Sequence, residues 1–206
     1  MIAIVDYGLG NIRAFYNLYK RLGIDCCLAS TEKELRKAQK IVLPGVGSFD
    51  HAIETLNNSG LRQPLDQLVL DEKIPVLGVC VGMQMMANSS EEGTLPGLGW
   101  IPGEVVRFDQ KQDNAAQDLP LPHMGWNTLF INTKIPLLEG FEEDPQFYFL
   151  HSYYFKCKGE SISLARAHYS CDFTSLASHC NAYGIQCHPE KSHHNGVHLL
   201  KNFAFM

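Results

Sequence analysis

Over residues 1–80 the chain alternates apolar, strand-sized runs with amphipathic, helix-sized ones. That alternation leaves few folds open. Ile2 to Val5 reads as a strand. Asn11 to Leu22 follows with Ile12, Phe15, Leu18 and Leu22 at helical spacing, and Gly23 closes it. Ile24 to Leu28 is a second short strand, and Thr31 to Lys37 a polar helix that Ser30 or Thr31 caps. Ile41 to Leu43 forms a third strand ending at Pro44, Phe49 to Asn57 and Leu61 to Asp71 are helices, and Pro75 to Val79 is a fourth strand. This last run is continuously apolar, as a central parallel strand buried on both faces must be. The expected fold is therefore α/β, a central, mostly parallel sheet with helices on both faces.

The later half reads differently. Val105 to Phe108, Asn127 to Ile131, Gln146 to Tyr154, Ile162 to Ala167 and Tyr183 to Cys187 are closely spaced strand candidates, and Gly196 to Phe205 is a closing helix. Gln110 to Pro122 is polar and reads as a surface loop. No repeat or linker interrupts the 206 residues, so one domain spanning 1–206 is expected.

Composition excludes several classes. With 45% apolar and 19% charged residues the chain is an ordinary globular one. A net charge of -5 offers neither a nucleic-acid surface nor help in docking to membranes. The run before Asp6 carries no basic segment and reads as a buried strand, not a signal peptide, so a cytoplasmic location is expected. The seven cysteines form no C-x-x-C pair, which argues against structural zinc and for a reducing compartment.

One cysteine needs another explanation. Gly78-Val79-Cys80-Val81-Gly82 lies between the fourth strand and a helix-like stretch, Met83 to Asn88. This is the pattern of a nucleophile elbow with cysteine as nucleophile. A sharp turn needs little bulk on either side, and it would set Cys80 at a helix N-terminus, where the dipole favours a thiolate. The pentapeptide alone leaves a buried core cysteine equally open. A cysteine nucleophile works with a histidine that a carboxylate orients. His188 directly follows a short apolar strand, and Glu190 comes two residues later. If that strand joins the same sheet, its end can lie beside the elbow; spacing alone does not bring Cys80 and His188 together.

Taken together, the Cys80 elbow with Met83-Gln84 and the His188-Pro189-Glu190 segment resemble the class I, triad-type glutamine amidotransferases. Asp6-Tyr7-Gly8-Leu9-Gly10-Asn11, Pro44-Gly45-Val46-Gly47-Ser48-Phe49, Pro122-His123-Met124-Gly125-Trp126-Asn127, His151-Ser152-Tyr153-Tyr154 and Pro189-Glu190-Lys191-Ser192 extend the resemblance along the chain. It points to the branch that serves histidine biosynthesis. The resemblance implies a three-layer fold and a catalytic triad of Cys80, His188 and Glu190. It implies an oxyanion hole from the N–H groups of Val46 and Val81, and glutamine binding by Gly47, Gln84, Ser152 and Tyr153. It also implies a heterodimer in which ammonia passes through a channel to a (β/α)8-barrel cyclase subunit. No cofactor and no metal are expected. Sugar-amidating partners in surface-polysaccharide synthesis remain an alternative, as do a stand-alone cysteine hydrolase or peptidase and a silent binding module.

Other features are weighed on their residues. Gly8-Leu9-Gly10 begins like a dinucleotide fingerprint, but Arg13 stands where its third glycine belongs. His193, His194 and His198 form a histidine-rich patch without an evident third metal ligand. Cys187 is expected in the core, and Tyr153 and Tyr154 either in the core or at an interface. Finally, Gly45 and Gly47 flank Val46, so the Gly45–Val46 peptide is expected to rotate at low steric cost, swinging the Val46 N–H toward or away from Cys80. A β-branched residue at Gly45 should hinder that rotation without greatly weakening subunit association.

Overall fold

The computed structural model describes residues 1–109, 119–141 and 143–206. Its first half follows the expected alternation: β1 (Ile2–Val5), α1 (Ile12–Arg21), β2 (Cys26–Ala29), α2 (Glu32–Leu35), β3 (Lys40–Gly45), α3 (Phe49–Asn58), α4 (Arg62–Asp66), β4 (Val76–Cys80) and α5 (Val81–Met85). The helices form for local reasons. Thr31 and Glu34 make a reciprocal capping box on α2. On α1, Phe15, Leu18 and Tyr19 are the buried face, and Lys20 and Arg21 sit in the last turn, where cations suit the helix dipole. The helix expected over Leu61 to Asp71 is α4 followed by a π-helical turn, Gln67–Asp71.

The strands run β2-β1-β3-β4-β13 in space and are parallel throughout this part of the sheet. The path goes from β1 outward to β2, then back across to β3 and β4. Right-handed crossovers therefore place α1 on one face and α2 to α4 on the other. All four residues of β1 and all five of β4 are buried, which is why their sequences are apolar without alternation.

The second half contributes β5 (Ser89–Ser90), β6 (Gly103–Arg107), β7 (His123–Thr128), β8 (Phe130–Ile131), β9 (Gln146–His151), β10 (Tyr153–Cys157), β11 (Ser163–His168), β12 (Asp172–His179), β13 (Ala182–Ile185) and α6 (His193–Phe205). Here β13, β12, β10 and β6 continue the central sheet in antiparallel pairs, while β7 and β9 form a separate two-stranded ribbon. Three expectations are corrected. β12 escaped notice altogether. The run Gln146 to Tyr154 is two strands, because the chain leaves the ribbon at Ser152 and joins the central sheet as β10. The strand expected from Asn127 to Ile131 begins four residues earlier, at His123. Most of the expected Gln110–Pro122 loop, 110–118, lies outside the described residues.

Candidate active site

Cys80 is the last residue of β4, and its backbone sits at φ 55°, ψ -115°. A non-glycine residue at positive φ outside a simple turn is strained by about 1–3 kcal/mol and persists only where its surroundings enforce it. They do so through backbone contact. A Cβ on Gly82 would lie 2.0 Å from the Leu43 carbonyl oxygen of β3, and one on Gly78 would lie 2.6 Å from the Gly82 carbonyl oxygen. The turn therefore closes only because both positions flanking the Val79–Val81 segment lack side chains. Val81 opens α5 and is buried.

β13 lies beside β4 in parallel, with Ile185 level with Val79. Both strands end at the same sheet edge, so the segment after β13 reaches the elbow. His188 is buried there, and its main-chain N–H donates to the Tyr148 carbonyl of β9 at 2.8 Å. Its Nδ1 is 3.0 Å from Glu190 Oε1, and the two side chains are only 6% and 2% exposed. A carboxylate can only accept, so Nδ1 carries a proton. Nε2 is buried without a hydrogen-bond partner. Burial pushes the imidazole toward its neutral form, but the Cys80 sulfur and the Glu190 carboxylate outweigh it and hold His188 up at about 10. Ser192 locks the turn: its hydroxyl donates to the His188 carbonyl at 2.6 Å and accepts from the Tyr148 N–H at 3.0 Å.

A cavity of about 240 Å³ opens above Cys80, lined by Gly47, Val81, Gln84, Glu92, Pro122, Leu150, His151, Ser152 and Tyr153. The sequence-predicted residues Gly47, Cys80, Val81, Gln84, Ser152 and Tyr153 thus meet around one space. Val46 does not line it; it stands next to Gly47 and is 39% exposed. Sequence reasoning missed Glu92, whose Oε2 accepts from the Phe49 N–H at the start of α3, and the Leu150 carbonyl, 3.9 Å from Cys80 Sγ. It also missed Gln186, fully buried next to the sulfur. Glu92 carries no local signal, since it reaches the site from a distant segment, whereas Leu150 and Gln186 each lie two residues before a predicted site residue, Ser152 and His188. A larger cavity of about 760 Å³, lined from Leu129 to Pro145, contains none of the predicted site residues.

The far wall of the pocket rests on two buried histidines whose protons can be placed. Asn127 Nδ2 donates to His123 Nε2 (3.2 Å), so His123 holds its proton on Nδ1 and donates it to His151 Nε2 (3.1 Å). His151 must then carry its proton on Nδ1, which donates to the Tyr153 carbonyl (2.9 Å). Both rings are neutral: burial pushes His123 down to about 4 and His151 to about 3. The same Tyr153 carbonyl accepts from Gln84 Nε2 at 2.9 Å.

Other expected features find plain roles. The Gly8–Gly10 loop buttresses the end of β3: the Tyr7 hydroxyl donates to the Pro44 carbonyl at 2.9 Å, and a Cβ on Gly10 would lie 2.7 Å from Pro44 Cβ. His193 stacks on Trp126, with ring centroids 5.1 Å apart, and His198 Nε2 bonds the Glu139 carbonyl at 2.7 Å. Among the described residues no three His, Cys, Asp or Glu side chains converge as metal ligands. Cys187 is in the core, although it lies past the end of β13. Tyr153 and Tyr154 are both half-buried and packed against that core.

The Gly45 expectation needs correction. Gly45 pairs with Cys80 across β3 and β4, and a Cβ on it would lie 2.3 Å from the Gly82 nitrogen. A side chain there would break the elbow, not merely slow a peptide rotation. Gly47, with φ +86° and only His51 Cδ2, at 3.9 Å, within 4 Å of a built Cβ, is the loop position with room for a side chain.

Comparison with known proteins agrees with this geometry. The class-I glutamine amidotransferase family matches residues 3–206. The chain is 54% identical over 204 residues to imidazole glycerol phosphate synthase subunit HisH of Bdellovibrio bacteriovorus, covering 99% of each chain. It is 50% identical over 204 residues to the protein of the same description from Leptospira interrogans, again covering 99% of both. It is 42% identical to subunit HisH 2 of Pseudomonas aeruginosa, over 99% of this chain and 98% of that one. Among solved structures, a glutamine amidotransferase superimposes with TM-score 0.73 at 19% identity, covering 100% and 99% of the two chains. PurLQS from Thermotoga maritima gives 0.74 at 14% identity, covering 99% and 96%. These two likenesses concern the fold. With an elbow cysteine, a histidine–carboxylate pair at the neighbouring strand end and a family match over nearly its whole length, the chain belongs to the class-I glutamine amidotransferases.

Proposed function

We propose that this chain is the glutaminase subunit of an imidazole glycerol phosphate synthase, acting in histidine biosynthesis as one cytoplasmic domain spanning 1–206. The observation that carries the reading is the meeting of Cys80 and the His188–Glu190 pair at the ends of adjacent parallel strands. Full-length identity to relatives of that description supports the pathway.

Transfer of the Cys80 proton to His188 gives the reacting thiolate, and Glu190 fixes the ring by accepting from Nδ1. The thiolate attacks the side-chain amide carbon of glutamine. The resulting oxyanion is taken by the N–H groups of Val81 and Val46. His188 gives its Nε2 proton to the amide nitrogen, the C–N bond breaks, and ammonia leaves a thioester on Cys80. Neutral His188 then takes a proton from water, the hydroxide adds to the thioester, and glutamate departs as Sγ recovers its electron pair. Glutamine's amino-acid end is held by Gly47, Gln84, Ser152 and Tyr153. Glu92 adds a carboxylate suited to the substrate's ammonium group. Met124 and Trp126, 65% and 46% exposed on the ribbon strand β7, offer an apolar face to a (β/α)8-barrel cyclase that receives the ammonia.

The test is glutamate formation by the isolated chain, by its complex with the cyclase, and by that complex with its nucleotide ligand. Glutamate from the complex is expected, with little from the isolated chain, because losing one oxyanion donor costs about 10²–10³-fold. No glutamate in any arm would overturn the glutaminase reading. Rates within roughly threefold of one another would leave the glutaminase standing but remove a switchable Val46 donor, whose loss should cost far more.

A further inference from the structure

Behind the reactive sulfur lies a carboxamide whose orientation can be deduced atom by atom. The Tyr153 carbonyl can only accept, so the Gln84 atom 2.9 Å from it is the amide nitrogen. The second hydrogen of that nitrogen points to Gln186, 3.0 Å away, so the Gln186 atom facing it is the carbonyl oxygen. The Gln186 nitrogen is thereby turned to Cys80, 3.9 Å from Sγ. The residue itself is fixed in place: Gln186 is fully buried, and its main-chain N–H donates to the Ser175 carbonyl of β12 at 2.8 Å. The Leu150 carbonyl, also 3.9 Å from the sulfur, can accept from a thiol but offers nothing to a thiolate.

We propose that Gln186 is a further catalytic residue, whose Nε2–H donates to the Cys80 thiolate before attack and again when the thioester breaks. The inference rests on reading Cys80 as the nucleophile. When the thiolate attacks, Sγ spends its electron pair on the new C–S bond and the N–H···S contact weakens. In the second half-reaction His188 removes a proton from water, the hydroxide adds to the thioester carbon, and the C–S bond breaks with its electron pair returning to Sγ. The Gln186 N–H meets that returning charge, making the sulfur a better leaving group. Because Gln186 also accepts from Gln84, the same carboxamide ties the nucleophile to the wall of the substrate pocket.

The experiment compares Gln186→Met and Gln186→Glu with the unaltered chain. Methionine keeps the length and removes the donor. Glutamate keeps the acceptor for Gln84 but turns a carboxylate oxygen on the sulfur. Both should slow alkylation of Cys80 by iodoacetamide at neutral pH, and lower kcat for glutamine hydrolysis by the cyclase complex, by about 10–100-fold, the worth of a hydrogen bond to a charged group. The KM for glutamine should change less. An unchanged alkylation rate, or a rise in KM with kcat preserved, would show that Gln186 only holds Gln84 in place and would overturn the proposal. If Gln186→Met fails to fold, Gln186→Glu carries the same comparison, since it retains the bond from Gln84. Alkylation reads the sulfur without glutamine, so the failure of this proposal is distinguishable from failure of the glutaminase reading, which would show as no glutamate from the unaltered complex.

Discussion

The two sides of this active site are held in place by different physics. On the Cys80 side, main chain packs on main chain: built Cβ atoms on Gly82 and Gly45 fall 2.0 Å and 2.3 Å from neighbouring backbone atoms. On the His188 side, side-chain hydrogen bonds do the holding, from Glu190, Ser192 and the His123–His151 pair behind the pocket. Steric closure is indifferent to pH and tolerates no added atom. Polar closure tolerates isosteric replacement and titrates. One site thus combines a rigid nucleophile with a proton-handling partner whose charge the protein sets.

Substitutions on the two sides should fail differently. The largest effect is expected from His188→Ala, which removes the proton carrier while leaving the elbow intact. Glutaminase turnover should fall about 10²–10⁴-fold, and the urea midpoint should fall too, because Glu190 is left buried without its partner. Glu190→Gln should retain a measurable remainder, because it orients the ring and carries no proton. Near-normal turnover in His188→Ala would place the base elsewhere.

Gly45→Val should act on the elbow itself. Overpacking of a tight backbone contact costs about 1–3 kcal/mol or more, so the urea midpoint should drop and activity should fall with it. Gly47→Ala probes the same loop without a clash, and at φ +86° it adds roughly 1 kcal/mol of backbone strain. It should leave association with the cyclase intact and blunt activation by the nucleotide-loaded partner. Equal stability of Gly45→Val and the unaltered chain would refute the steric account of the elbow.

The smallest effect is a pH signature. His188 is held at about 10, above its ordinary 6.5, so its contribution to stability is full below 6.5 and is lost as pH rises through 10. His123 and His151 are depressed to about 4 and 3, so the unfolded chain takes up protons below 6.5 that the folded chain refuses. Their contribution is present above 6.5 and is lost as pH falls toward 4 and 3. Urea midpoints should therefore fall on both flanks, and His151→Asn, which leaves only His123 to take up a proton, should reduce only the acid one. Loss of the alkaline flank in that variant would break the assignment.

What could be read in advance follows the same division. β1 to β4 were visible because parallel strands buried on both faces need unbroken apolar runs. Cys80 stood out because an elbow needs small neighbours. β12 was invisible because Asp172–His179 buries Thr174 and Ser175 beside Phe173 and Leu176, so no apolar period survives. The Thr174 hydroxyl finds its partner on another strand, donating to Ser163 at 3.0 Å. The break at Ser152 was hidden because burial alternates smoothly along Phe147, Phe149 and His151 right up to it.

The residue types and their order already specified the chemistry: a thiol on a glycine-flanked turn, a histidine and a carboxylate two residues apart, and an α/β frame to carry them. Local sequence is enough for that, because turns, helix starts and strand periodicity depend on neighbours along the chain. Only the tertiary structure decided that Gly45 has no room for a side chain against Gly82, that Glu92 reaches the pocket, and that the His123–His151 pair holds one arrangement of protons. It also decided that Gln186 aims its N–H at the sulfur. Each of these depends on contacts between segments 28 to 106 residues apart. At those separations, close packing and the pairing of buried polar groups are set by the folded whole.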